Sequence, residues 1–345
     1  MLRPGADRVE TVMTHASSRV LSRRVFCALS LTAAASPSWA EASCVEQAWP
    51  SRPIRLVTRP PDGARSDAMA RTLAAALGRR WRQPVIVDYR VDGDGAASVE
   101  TFLAAHDDHV LLLHSTAVWT TFHLEHDRLS FDPVRDLVPL APVVQDFIAL
   151  GVSPRLGVAS LGELVDAACR GPRRLSWASS LEASHLAFSA FLKTAGTELA
   201  FMPYRNPAAS LADLAEGKVD LAFLPLPPTV GAAQSGRVRL LAVASADRAP
   251  GARDVPTVGE SGYPSLAIFD GHSLFGPSDM PTMRRLRIAD DVAAVLRDPV
   301  VAERLTRMGY RPQHESPAAF QALLQRERAH WTEMAQATYR AADTQ

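Results

Sequence analysis

The chain has 345 residues, with 37 basic and 37 acidic side chains that cancel. It has no basic stripe of the kind that follows a phosphate backbone, which argues against nucleic acid as a partner. Lysine occurs at Lys193 and Lys218 and nowhere else, so a Schiff-base mechanism has almost no candidate nucleophile. The length exceeds one typical core and suits two domains of about 150 residues each.

Residues 1–40 read as an export signal. Arg19, Arg23 and Arg24 precede an apolar run from Val25 to Ala35, Pro37 breaks it, and Ser38-Trp39-Ala40 supplies a small-x-small cleavage pattern. The run is too short to span a membrane, which takes about 20 apolar residues. Ser22-Arg23-Arg24-Val25-Phe26 fits a twin-arginine signal, and a Sec signal with two adjacent arginines fits as well. The residues before Met13 show no role. Cleavage after Ala40 removes five arginines and two acids, so the mature chain is slightly acidic. Cys44 and Cys169 remain after cleavage, and in an oxidising compartment either a disulfide or two unpaired thiols fits. Glu41 stands where a lipoprotein box needs an apolar residue three positions before Cys44, so no lipid anchor is expected.

From Pro53 onward short apolar runs alternate with amphipathic stretches. Ile54 to Thr58 reads as a buried strand followed by a Pro/Gly turn. Residues 66–80 read as a helix with Met69, Leu73, Ala76 and Leu77 on one face, Ser66 as a cap and Asp67 at the positive N-terminus. Strands at 85–87 and 110–113 flank a helix at 96–105, giving β-α-β-α-β, the order of a parallel sheet wrapped by helices. Strands are expected at 148–152, 175–178, 199–202, 219–223 and 239–243. The helices expected among them are 161–169, 184–194 and 208–216. After Pro281 only helices are expected, at 283–298, 300–308 and 317–341, with Pro299 breaking the first two. The chain has no Pro/Ser-rich linker, which suggests that it passes between domains through strands, a hinge suited to closure around a ligand.

Enzyme motifs fit poorly. Gly259-Glu260-Ser261-Gly262 and Gly271-His272-Ser273-Leu274-Phe275 fail the spacing of a nucleophile elbow. Gly93-Asp94-Gly95 lacks the third glycine of a dinucleotide fingerprint, and there is no Walker loop. No cofactor and no catalytic residue is assigned. His123-Leu124-Glu125-His126-Asp127 gathers metal-type ligands, but its polar surroundings favour a solvated loop, and no metal is assigned. His185 opens a helix, where an uncharged histidine near the cap is the usual outcome.

The strongest local constellation is the segment from Arg59 to Asp67, which joins a buried strand to a helix start at the carboxyl end of a sheet, where open α/β sheets bind ligands. Free N–H groups there favour an anion, and Arg65 adds a bidentate clamp for a carboxylate. Asp67 takes an ammonium group or caps the helix; the two readings stand side by side.

At this loop the chain resembles the tripartite tricarboxylate transporter receptors, also called Bug receptors. The resemblance is carried by Pro50-Ser51-Arg52-Pro53-Ile54-Arg55-Leu56-Val57 with Gly63 and Asp67. In the same order follow Gln83-Pro84-Val85-Ile86-Val87, Phe131-Asp132-Pro133, Leu175-Ser176-Trp177-Ala178-Ser179-Ser180 and Pro203-Tyr204-Arg205. Gly217-Lys218-Val219-Asp220, Asp254-Val255-Pro256-Thr257-Val258-Gly259 and Leu274-Phe275-Gly276-Pro277 complete it. It covers essentially the whole mature chain. No one motif is decisive, and their order and spacing together are specific.

The resemblance implies an α/β fold of the type II periplasmic binding protein kind, a monomer with two lobes and a ligand cleft between them. Lobe 1 is expected at 49–145 plus 271–345 and lobe 2 at 146–270. It implies a periplasmic receptor that holds a small carboxylate for membrane transporter subunits, gripped by backbone N–H groups, hydroxyls and water. Carried over by position, the ligand residues are Asp62, Gly63, Ala64, Arg65, Ser66 and Asp67, then Ser115 and Thr116. From lobe 2 come Ser179, Ser180, Ser184, Tyr204 and Arg205. The family's glycine-rich first loop appears here as Pro61-Asp62-Gly63-Ala64-Arg65-Ser66-Asp67, with two glycines lost and a charge on each side, and a tryptophan expected near Gly271 is absent. Those departures point to an atypical or lost ligand. The rival readings are a secreted serine hydrolase using His185 or His272, and a receptor-fold sensor uncoupled from transport.

Overall fold

The computed structural model describes residues 49–59, 64–90, 95–126, 128–170, 174–179, 182–204 and 206–339. The export signal, Cys44, Asp62, Gly63, Asp127, Ser180 and Arg205 lie outside the described residues.

Eleven strands occur among the described residues: β1 (Ile54–Thr58), β2 (Val85–Tyr89), β3 (Val110–Ser115), β4 (Leu137–Asp146), β5 (Ile148–Val152), β6 (Ser176–Ser179), β7 (Ala200–Pro203), β8 (Leu221–Pro225), β9 (Arg239–Val243), β10 (Asp270–Pro277) and β11 (Arg311–Pro312). The helices are α1 (Ala64–Trp81), α2 (Ala96–Ala104), α3 (Ala117–Thr120), α4 (Phe122–Glu125), α5 (Pro133–Asp136), α6 (Leu161–Arg170), α7 (Glu182–Thr194), α8 (Pro207–Glu216), α9 (Leu226–Gln234), α10 (Thr282–Arg297), α11 (Pro299–Arg307) and α12 (Pro317–Tyr339).

The strands form two sheets. The first has the order β11-β4-β10-β3-β1-β2 and the second β7-β6-β8-β5-β9. In the first, β1, β2 and β3 are parallel and β10 runs against both β3 and β4. In the second, β6, β7 and β8 are parallel and β5 runs against both β8 and β9. The chain passes from β4 through Phe147 directly into β5, and β10 re-enters the first sheet after β9. Each entering strand therefore runs outward from the crossing, and its antiparallel neighbours run back to it. The carboxyl ends of β1, β3, β6 and β8 accordingly all point to the crossing.

Local chemistry sets these elements. On α1, Met69, Leu73, Ala76 and Leu77 recur at helical spacing and are buried together in the core cluster that includes Ile54, Leu56 and Leu111. Asp298 caps α11 by accepting the Val300 N–H at 2.8 Å, and Pro299 occupies the first helical position, where its missing N–H removes no bond. Asn206 caps α8 in the same way. Ser66 falls inside the first turn of α1 instead of capping it, because the helix begins at Ala64.

Several elements lie outside the sequence expectation: β4, β10 and α9, the short helices α3, α4 and α5, and β11, which enters where only helices were expected. β4 carries Pro139 and Pro142, which argue against a strand in sequence. Its ladder with β10 skips Val143 and Leu140, and its other edge is paired by β11 at Val144 and Gln145. Bulges and an edge with little pairing are where proline is tolerated. β10 contains Gly271 and Gly276 and gives no clean alternation. α9 begins with Leu226-Pro227-Pro228, and its prolines fall in the first turn, where N–H groups have no intrahelical partner.

α12 touches both cores. Phe320 and Leu324 are buried with Val57, Leu112 and Phe275, whereas Trp331 and Ala335 are buried with Trp177, Leu186 and Phe188. No helix among the described residues is long and apolar enough to cross a membrane.

Candidate functional site

The crossing holds a charged cluster. From the first turn of α1, Arg65 sends one N–H from each terminal nitrogen to the carboxylate of Asp146, the last residue of β4. The distances are Nη1–Oδ1 3.1 Å and Nη2–Oδ2 2.8 Å. The guanidinium also stacks on Tyr310, with Cζ 4.3 Å from the ring centroid. Oδ1 of Asp146 accepts the Phe147 N–H at 2.9 Å, which fixes the carboxylate at the strand junction. The bidentate geometry of Arg65 is directed at the protein's own Asp146. Burial draws the Arg65 pKa down, and the charge and hydrogen bonds of Asp146 more than reverse this, so Arg65 stays a cation.

Asp270, the first residue of β10, is the register partner of Asp146. Its carboxyl is pushed up to about 7, by burial first and then by the Asp146 charge, against the pull of the Gly271 N–H and Arg65. Beside it the main chain is close-packed: a Cβ on Gly271 would lie 2.2 Å from the Val144 carbonyl oxygen.

Ser115 and Thr116 stand at the carboxyl end of β3, next to this cluster. The Thr116 N–H donates to the Gly271 carbonyl at 2.9 Å, and its hydroxyl lies 3.0 Å from that of Ser273. Ser115 Oγ accepts the Ala117 N–H at 3.2 Å and so starts α3. The neighbouring His114 is fully buried against Gly95 and is pushed down to about 4, by burial first and Arg59 next, so it is neutral. Asp67, further along α1, faces elsewhere. It accepts from Arg71 Nε at 2.9 and 3.0 Å and from the Tyr89 hydroxyl, contacts that hold its carboxyl below the usual range.

In the second sheet, Ser179 ends β6 and Ser184 lies in the first turn of α7. Both are buried, with hydroxyl oxygens 2.6 Å apart. His185 stacks on Trp177 and meets Phe201 edge-on, with centroids at 5.4 and 4.4 Å. Tyr204 follows β7, and its hydroxyl donates to Asp213 of α8 at 2.7 Å, which with burial pushes the phenol up to about 12. The structure therefore brings Arg65, Ser115, Thr116, Ser179 and Ser184 to the strand ends that face the crossing, while Asp67 is engaged by Arg71 of its own helix and Tyr89 of β2, and Tyr204 by Asp213 of α8. Sequence reading missed Asp146, Asp270 and Tyr310. The available signal was an acid abutting an apolar run at both Asp146-Phe147 and Phe269-Asp270, which had no place while β4 and β10 went unread.

The metal-type residues have protein partners. His123 lies 3.0 Å from the Thr332 hydroxyl through Nε2 and accepts from Arg328 through Nδ1 at 2.9 Å, which ties α4 to α12. Among the described residues, Asp107, Asp108 and His109 also cluster, but Arg52, Arg284 and the Ser51 N–H engage all three. Cys169 carries a free, exposed thiol. Two grooves, about 320 and 930 Å³, open where β1 and β3 begin and are lined in part by Arg52, Asp107 and either Ile86 or Met280. They lie at the opposite end of the sheet from the crossing.

The family model for the tripartite tricarboxylate transporter family receptor matches residues 69–339. The chain belongs to that receptor family. It is 29% identical over 291 residues to a UPF0065 protein of Bordetella bronchiseptica, covering 84% of this chain and 87% of that one. Among solved structures, Rpa4515 of R. palustris with adipate is 28% identical, with a TM-score of 0.72 over 84% of this chain and 98% of the other. The periplasmic binding protein BugD superposes with a TM-score of 0.67 at 24% identity over 84% and 98%, which shows the shared fold. As in these relatives, the receptor is a two-lobed α/β protein of the periplasmic solute-binding type. Family members are binding proteins, and β10 of this receptor, which returns the chain to the first sheet, opens with Asp270-Gly271-His272.

Proposed function

We propose that this receptor captures a small organic acid between its lobes and passes it to a tripartite tricarboxylate-type transporter. The observation that carries the reading is the convergence of the strand ends bearing Ser115, Thr116, Ser179 and Ser184 on the crossing, in a family whose member Rpa4515 was solved with adipate. Hydroxyls and loop N–H groups at such ends grip a carboxylate without a buried counter-charge. We take residues 49–145 and 271–345 as one lobe and 146–270 as the other, with α12 as a strap seated on both. The test is a thermal-shift screen of mono-, di- and tricarboxylates, with sugars as the counter-set. Binding raises the melting temperature with the logarithm of the ligand excess over Kd. We expect shifts from dicarboxylates. Shifts from sugars alone, or turnover in an esterase and amidase screen, would overturn the reading.

We also propose that the chain is exported and that the mature protein begins at Glu41. Periplasmic protein sequenced from its N-terminus should start there, and an intact Arg23-Arg24 would refute it.

A further inference from the structure

We propose that anion capture by this receptor is coupled to a proton carried on Asp270. The inference rests on the carboxylate reading above for its ligand and on the crossing for its geometry. Asp146 and Asp270 are opposite one another on neighbouring antiparallel strands, a placement that sets Cβ atoms about 5 Å apart and disfavours two like charges. Arg65 spends both terminal nitrogens on Asp146, whose Oδ1 also accepts the Phe147 N–H. Arg65 and the Phe147 N–H are thereby committed to Asp146, and Asp270, which faces it, is the member whose protonated form is favoured.

The groups facing Asp270 act in both directions. Asp146 of β4 and Glu125 of α4 favour its protonated form, and Arg65 of α1 and the Gly271 N–H oppose it. His272, two residues on, packs edge-on to Tyr310 with centroids 6.3 Å apart, and Tyr310 lies under Arg65. Burial then places the exchange close to neutrality. With Asp270 protonated the cluster is a compensated Arg65–Asp146 pair, which an incoming carboxylate can approach. With Asp270 ionised the cluster carries a net negative charge beside the Ser115 and Thr116 strand end. An anion bound there raises the proton affinity of Asp270, and by linkage the proton raises the affinity for the anion.

The sign for the free protein is definite. A carboxyl whose folded pKa lies above its unfolded value of about 3.9 stabilises the fold fully below that value and loses this contribution as pH rises through the folded value. Wild-type stability should therefore decline from about pH 4 to about pH 7 and level off above it, a decline that Asp270→Asn, neutral throughout, removes.

The experiment follows the Asp270 carboxyl carbon by NMR from pH 4 to 9 in the free mature protein. It also titrates adipate at pH 6.5, 7.5 and 8.5 in buffers of different ionisation heat. We expect Asp270 to titrate near neutrality, a fraction of a proton to be taken up on binding, and affinity to fall at least about fivefold from pH 6.5 to 8.5. Adipate carboxylates are ionised across this window. In Asp270→Asn the affinity should not vary with pH. Titration of Asp270 below pH 5 overturns the proposal whatever binds, and so does a pH-independent wild-type affinity. Silence from adipate counts against the carboxylate reading of the cleft, and the carboxyl titration still decides the proton assignment either way.

Discussion

At the residue scale the crossing depends on Arg65. Its removal leaves Asp146 and Asp270 facing each other without their cation. Breaking a buried pair in this way costs several kcal/mol, because an uncompensated charge remains. Arg65 is 27% exposed and Asp146 10%, so solvent screens part of the loss. We expect Arg65→Ala to lower stability by about 2–3 kcal/mol at pH 8. The loss should shrink as pH falls and Asp270 protonates. Adding Asp146→Asn to the variant should recover much of it. Urea denaturation of the two single variants and the double variant measures this, and additive losses would mean that the pair is not coupled. The sequence made Arg65 stand out because it replaces a glycine-rich turn with a charge. It did not reveal the partner, since Asp146 is 81 residues away and the strand that delivers it carries two prolines.

At the scale of elements, strands and helices with clean periodicity were legible, and those at the crossing were not. The 3.6-residue repeat of α1 and the apolar runs of β1, β3 and β5 give direct signals of burial. β4 and β10 meet with two skips in register, and their prolines and glycines serve that irregular pairing. Gly271 is the clearest case: the Val144 carbonyl occupies the space a Cβ needs. Gly271→Ala must push β10 off β4 at the point where the chain returns from the second sheet. The expected cost is about 3 kcal/mol, read as a lower thermal midpoint with α-helical circular dichroism retained. An unchanged midpoint would show that the two strands separate freely there.

At the scale of the molecule, the two sheets, the crossings and the α12 strap form a frame in which strand ends of both sheets face the crossing. The sheets were legible as two runs of alternating strands and helices, and the order of family motifs supplied their partition. Of the expected ligand residues, Asp62, Gly63, Ser180 and Arg205 lie outside the described residues, and the partners of Arg65 and Tyr204 arise only from the fold. The central claim is that the space between the lobes takes a small carboxylate. Calorimetric titration of residues 41–345 with a series of straight-chain dicarboxylates, adipate included, tests it most directly. We predict saturable binding of one molecule per chain for at least one member, with Kd of about 1 μM or tighter, near −8 kcal/mol. Folded protein that gives no binding heat with any member, at pH 6.5 as well as pH 8, would contradict the account.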